Sequence, residues 1–108
     1  MNKFLLCIIC ILALSGCSKP LPEDKLHYVG EWQSNEMALL ILTDGTVAYK
    51  RLKGGGTTSV NGPLKEFQGD NFIVGFAFLT TTFNVTQAPH EIDGVWKMTV
   101  DGVSLTKV

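Results

Sequence analysis

The sequence predicts an all-β domain, a small antiparallel meander closed into a barrel or half-barrel, and three observations predict it. Short apolar segments recur from Gly30 onward, and several alternate with period 2, the spacing of a strand with one buried face. Asp-Gly pairs at Asp44-Gly45, Asp93-Gly94 and Asp101-Gly102 separate such segments, and these pairs suit the positive φ of two-residue hairpin turns. No convincing amphipathic helix is present beyond the N-terminus. Closing the meander removes sheet edges that would otherwise invite aggregation. A two-sheet β-sandwich is the alternative.

The elements follow in order. Lys19-Pro20-Leu21-Pro22-Glu23-Asp24-Lys25 carries two prolines and mixed charge, which oppose helix and sheet and favour an extended spacer. His27 to Val29 is expected to end a single helical turn at most. Gly30 to Ser34 opens the first strand. Met37 to Thr43 is a continuous apolar run, as expected of a strand buried on both sides. After Asp44-Gly45, Thr46 to Arg51 places Val47 and Tyr49 on one face. Gly54-Gly55-Gly56 is a flexible break, Thr57 to Val60 a polar edge strand, and Asn61-Gly62-Pro63 a turn. Leu64 to Phe67 is short, and Gly69-Asp70-Asn71 turns the chain into Phe72 to Phe78, where Phe72, Val74, Phe76 and Phe78 share a face. Thr80 to Thr86 is strand, rich in β-branched residues. Pro89 to Glu91 is expected as loop. Val95 to Val100 directs Trp96, Met98 and Val100 inward, and Asp101-Gly102 leads into Val103 to Thr106. The count is roughly seven to nine strands.

The first residues belong to a different kind of segment. Met1-Asn2-Lys3 is positively charged, Phe4 to Leu14 is an unbroken apolar run, and Ser15-Gly16-Cys17 follows. A charged start, a short apolar stretch and small residues at a cleavage site are the parts of a secretory signal. The run is short of the roughly 20 residues that cross a bilayer. Leu14-Ser15-Gly16-Cys17 resembles the bacterial lipobox, which implies that Cys17 takes a diacylglycerol on its thiol, that the signal is cut before it, and that the new amine is acylated. Two or three acyl chains, at roughly 0.8 kcal/mol per buried CH₂, make such an anchor stable. Ser18, where an Asp would retain a lipoprotein in the inner membrane, implies the outer membrane, facing the periplasm. The expected organisation is residues 1–16 as lipoprotein signal peptide, 17–26 as lipidated cysteine and tether, and 27–108 as a single all-β domain.

The three cysteines, Cys7, Cys10 and Cys17, fit this organisation. Two leave with the signal and the third carries lipid, so no disulfide is expected in the domain. Nine basic residues stand against ten acidic ones, and Lys3 leaves with the signal. The remainder is mildly acidic, which argues against a nucleic-acid partner.

Chemistry-bearing motifs are sparse. His27 and His90 are the only histidines, and His90-Glu91-x-Asp93 alone falls short of the three or four ligands of a zinc site. No Gly-x-Ser-x-Gly elbow surrounds Ser34, Ser59 or Ser104. Asp44, Asp70, Asp93 and Asp101 are explained by turns. No catalytic residue, metal site or cofactor is expected. Lys50, Arg51 and Lys53 beside Gly54-Gly55-Gly56 lack the signature of a phosphate-binding loop. They are candidates for contact with anionic headgroups or an acidic partner. Phe76, Phe78 and Phe83 lie in a stretch with almost no charge; the plain expectation is core, and the alternative is an apolar face, with Trp32 and Trp96, that meets a ligand or partner.

Gly30-Glu31-Trp32, the apolar strand after it, and Asp44-Gly45-Thr46-Val47 with Tyr49 resemble the opening of lipocalin-like lipoproteins. That resemblance covers about the first quarter of the domain and implies a carrier of a small apolar ligand, with a cavity lined by Trp32, Phe76, Phe78 and Trp96. Lipocalins are much longer, with long strands around a deep calyx. The small periplasmic lysozyme-inhibitor lipoproteins, a second comparison, usually rely on a disulfide. As a whole the chain resembles small lipoproteins of Gram-negative bacteria. The leading expectation is a lipid-anchored, non-enzymatic binding or interaction module, attached to the membrane through acylated Cys17. The alternatives are the apolar-ligand carrier and an envelope hydrolase or inhibitor.

Overall fold

The computed structural model describes residues 20–108; the signal, Cys17, Ser18 and Lys19 lie outside the described residues. A short 3-10 helix, Glu23–Tyr28, is followed by nine strands: β1 (Gly30–Gln33), β2 (Met37–Ile41), β3 (Thr46–Lys53), β4 (Gly56–Gln68), β5 (Asn71–Phe76), β6 (Leu79–Phe83), β7 (Val85–Ile92), β8 (Val95–Val100) and β9 (Val103–Lys107). They form one antiparallel sheet in the order β6-β5-β4-β3-β2-β1-β9-β8-β7, curled into a half-barrel. The expected all-β meander is therefore the fold, in its half-barrel form.

The Asp-Gly turns fall where the sequence places them. At β2–β3 the Asp44 carboxylate accepts from the Thr46 amide at 2.9 Å, which holds its pKa below the usual range. Asp93 and Asp101 take φ of 52° and 48° in the β7–β8 and β8–β9 turns, a region that Asp enters more readily than bulky residues.

Four local expectations are corrected. Met37, Leu39 and Ile41 of β2 are buried while Ala38 and Leu40 are exposed. A single curled sheet has no second layer over its outer face, so the run is buried on one side only. Asn61-Gly62-Pro63 does not turn but continues the thirteen-residue strand β4, with Gly62 opposite Val47 and Pro63 opposite Thr46. Pro63 is tolerated because β4 leaves β3 there and irregularly takes up β5, with a shift of register between Leu64 and Glu66. Pro89 to Glu91 lies within β7, a terminal strand of the sheet, where a residue without an N–H breaks no ladder on its outer side. Glu23, Asp24 and Lys25 wind into the 3-10 helix instead of continuing an extended spacer.

That helix closes the half-barrel against its core. Leu21 and Tyr28 are buried, and the Leu21 amide donates to the Thr43 carbonyl at 3.3 Å. The Tyr28 hydroxyl donates to the Asp70 carbonyl at 2.9 Å, and the Trp32 indole donates to the Tyr28 carbonyl at 2.9 Å. Both polar tips are thus satisfied while their rings add apolar area to the core. Phe72 stacks on Phe83 with centroids 5.1 Å apart, and Tyr49 meets Phe83 at 4.8 Å. On the flank, Lys107 donates to the His27 carbonyl at 3.2 Å, and its ammonium lies 4.9 Å from the Trp32 ring and 5.2 Å from the Trp96 ring. Partial burial lowers the Lys107 pKa.

The Tyr28 hydroxyl is pushed up from 10.0 to about 12, by burial first and by the Asp70 charge second. Above pH 10 the folded chain holds this proton where the unfolded chain releases it. Its contribution is therefore full below pH 10 and is lost as pH rises through about 12. Tyr28→Phe, without the bond to Asp70, is expected to be less stable by about 1 kcal/mol at neutral pH. Urea unfolding should show a shallower fall in its stability across the alkaline window than in the parent.

Candidate functional site

Sequence reasoning grouped Trp32, Phe76, Phe78, Phe83 and Trp96 as one possible face, and the structure separates them. Trp32 and Phe83 are core residues, 0% and 1% exposed. Trp96 is half-buried on β8, stacked on His27 with centroids 4.9 Å apart. Phe76 and Phe78 lie together at the β5–β6 hairpin, 56% and 87% exposed. No cavity lined by Trp32, Phe76, Phe78 and Trp96 is formed, because Trp32 points into a packed interior that it fills with Phe72, Phe83, Leu39 and Met98.

The hairpin arises from a kink and an unusual turn. Phe72 and Val74 alternate into the core, as period 2 requires, and then Gly75 breaks the pattern. Gly75 has φ of +133°, and a Cβ there would run into the Leu79 carbonyl oxygen and the Thr80 Cα. Only a residue without a side chain permits this crossing of the two arms. Beyond it Phe76 pairs with Leu79, and Ala77-Phe78 makes the turn with Ala77 at φ 48°. The chain reverses before Phe76 and Phe78 reach the inner face, so Phe76, Phe78 and the 72% exposed Leu79 form an apolar tip. Lys65 on β4 reaches the tip and donates to the Ala77 carbonyl at 3.2 Å. Among the described residues no carboxylate lies in ion-pair range of that ammonium.

Sequence reasoning missed Lys65, Leu79 and the reversal at Ala77-Phe78. The one available signal was Gly75 inside an aromatic strand, since an isolated strand glycine marks a kink or a close backbone approach.

The basic candidates do not form one patch. Alternation along β3 sends Lys50 to the outer face and Arg51 and Lys53 to the other. Arg51 pairs with Glu36 at 3.2 Å, while Lys53 sits at the exposed end of the strand. Lys50 borders an open groove of about 340 Å³ on the outer face, floored by Ala38, Leu40 and Ala48. His90 lies on β7 with Nδ1 2.9 Å from the Ala88 carbonyl. Among the described residues no group of three His, Cys, Asp or Glu side chains is placed to hold a metal ion.

No protein family, curated protein or solved structure matches the chain. The hairpin tip is the feature that packing leaves unexplained. Each such side chain gains roughly 1.5–3 kcal/mol on full burial, yet three stand together in solvent.

Two predictions separate core from tip. Phe83→Ala is expected to lose about 3–5 kcal/mol of stability, whereas Phe78→Ala should stay within about 0.5 kcal/mol of the parent; chemical denaturation reads both. Gly75→Ala places a methyl group against the Leu79 backbone and is expected to cost about 1–3 kcal/mol. Faster amide exchange confined to β5 and β6 would locate that loss at the hairpin.

Proposed function

We propose that this chain is a lipid-anchored lipoprotein of the bacterial cell envelope, a non-enzymatic module that engages an envelope component at its surface. The resemblance of Leu14-Ser15-Gly16-Cys17 to the lipobox supports the anchor, and Ser18 favours the outer membrane, facing the periplasm. The observation that carries surface engagement is the exposed Phe76, Phe78 and Leu79 tip. Contiguous apolar side chains left in solvent mark protein or membrane contact surfaces. The filled interior favours surface engagement over a carrier of a small apolar ligand, because Trp32 and Phe83 occupy the space a calyx would keep open.

Expression of the full chain and of Cys17→Ser tests the proposal. The parent is expected in the outer-membrane fraction of a density gradient, with the mass of an acylated chain beginning at Cys17. Cys17→Ser, which blocks processing and leaves the apolar Phe4 to Leu14 run on the chain, is expected to keep the unacylated precursor mass and to be lost from the outer-membrane fraction. Native mass spectrometry of the parent should show acyl mass alone. Soluble parent protein of unmodified mass would overturn the anchor, and a stoichiometric small molecule on the intact domain would favour the carrier.

A further inference from the structure

We propose that the β5–β6 tip inserts into the interfacial zone of the same bilayer that holds Cys17, so that the domain is pinned at two points and held in one orientation. This rests on the lipid-anchor reading and adds to it what the tip engages: a phospholipid surface.

The chemistry of the tip suits that surface. Phe76, Ala77, Phe78 and Leu79 are four successive residues without charge, and the three large ones are exposed. A tight hairpin presents them at its end, with Phe76 paired to Leu79 and the Ala77 carbonyl met by Lys65. A segment entering the boundary between headgroups and acyl chains needs both properties. The Lys65 ammonium sits at the rim of the tip, bonded to the Ala77 carbonyl at 3.2 Å. A lysine beside an inserted apolar group is placed to meet lipid phosphate. Thr80, Thr81 and Thr82 follow on β6, exposed and neutral.

The course of the chain carries the tip to the membrane. The described residues begin at Pro20, and Pro20, Leu21 and Pro22 line a groove with Leu64, Lys65 and Phe67. Lys65, with Glu66, thus lines the groove beside the emerging N-terminal segment, and its ammonium reaches the hairpin tip. Only Ser18 and Lys19 separate Cys17 from Pro20. Three Cα steps reach at most about 11 Å, so an acylated Cys17 holds this side of the domain at the lipid surface. A tether this short brings the tip within reach of the headgroup layer, which a long flexible one would not ensure.

The two free strands of the sheet differ in the same sense. β7 carries Pro89, Glu91 and two shifts of register, which discourage pairing with another chain. β6, Leu79-Thr80-Thr81-Thr82-Phe83, has no charge and no proline. The guards that keep a sheet edge from pairing with another chain are missing on β6 beside the apolar tip; its unpaired backbone groups need the hydrated headgroup layer, so the apolar tip alone enters the bilayer.

The test uses the full, processed chain carrying Phe78→Cys. With the signal removed and Cys17 acylated, that thiol is the sole one, and the exposed position leaves the core intact. The thiol is labelled with an environment-sensitive fluorophore, and the protein is reconstituted into phosphatidylethanolamine–phosphatidylglycerol vesicles. Ser104→Cys, exposed on β9, is the control. The label at 78 is expected to shift to the blue and to be quenched about two-fold or more by lipids spin-labelled just below the headgroup, a depth of roughly 5–10 Å. The control label should stay water-like. In the unlabelled parent, amides 75–80 are expected to exchange more slowly on vesicles than in the same chain made without residues 1–16 and carrying Cys17→Ser. A water-like label at 78 on protein whose mass shows acylated Cys17 would overturn the insertion while leaving the anchor standing. Shielding that appears only when envelope proteins are added would make the tip a protein contact and overturn it equally. Unmodified Cys17 would remove the anchor and, with it, this inference.

Discussion

The first and last strands of the sheet, β6 and β7, are separated in the chain by Asn84 alone. The run from Leu79 to Ile92 must therefore serve β5 at one end of the sheet and β8 at the other, and the sheet has to curl until those ends meet. At the junction the Asn84 amide donates to the Asp101 carboxylate at 2.9 Å, the Asp101 amide donates to the Asn84 carbonyl at 2.8 Å, and the Val85 amide donates to the Asn71 side-chain oxygen at 2.7 Å. Backbone groups that lose their ladder partners at the bend thus keep a partner each. Asn71 opens β5 and Asp101 sits in the β8–β9 turn, so these bonds tie together the two halves that the long run joins.

Curling decides what each strand buries. One sheet wrapped on itself has a single inner face, so a strand that is apolar throughout, such as β2, still alternates in burial. The inner residues meet across a narrow space that Trp32, Phe72 and Phe83 nearly fill, and Tyr28 with Leu21 covers it from the N-terminal side. A domain of this size draws only a few kcal/mol of net stability from such a core, and no cysteine lies among the described residues to add a cross-link. The buried hydroxyl and indole hydrogen bonds of Tyr28 and Trp32 are accordingly met by carbonyls rather than left open.

The class, the hairpins at Asp44, Asp93 and Asp101, and the inward faces of Val47, Tyr49, Met98 and Val100 were legible because each rests on local chemistry: a turn dipeptide or a period-2 pattern. What was not legible depends on tertiary pairing. Asn61-Gly62-Pro63 has turn composition, yet β3 on one side and β5 on the other hold it extended. Ala77-Phe78 has no turn composition, yet the Gly75 kink and the Phe76–Leu79 pair reverse the chain there. The candidate site was half visible. An uncharged aromatic stretch was apparent, but periodicity alone cannot say that Phe72 and Val74 turn inward while Phe76 and Phe78 run past the end of the core. Lys50, Arg51 and Lys53 show the converse error, since neighbours in a strand point to opposite faces.

The same geometry explains why the apolar tip exists at all. Val74 is the last residue of β5 that reaches the core, and Gly62 and Gly75 stand where β4 turns from β5 toward β3. Past that fork β5 has no ladder partner on β4, and the chain beyond Gly75 projects from the sheet, joined to β4 by the Lys65–Ala77 bond. A protein needing only to close the meander would finish it with a polar turn, as the chain does at Asp93-Gly94 and Asp101-Gly102. Two phenylalanines and a leucine at the β5–β6 hairpin forgo that solubility, on the side where Lys65 lines the groove beside the N-terminal segment. A free chain would carry this tip, next to an unguarded β6 edge, as an aggregation liability. Under the proposed membrane attachment the same residues become a second point of contact, and that reading accounts for the exposure of Phe78.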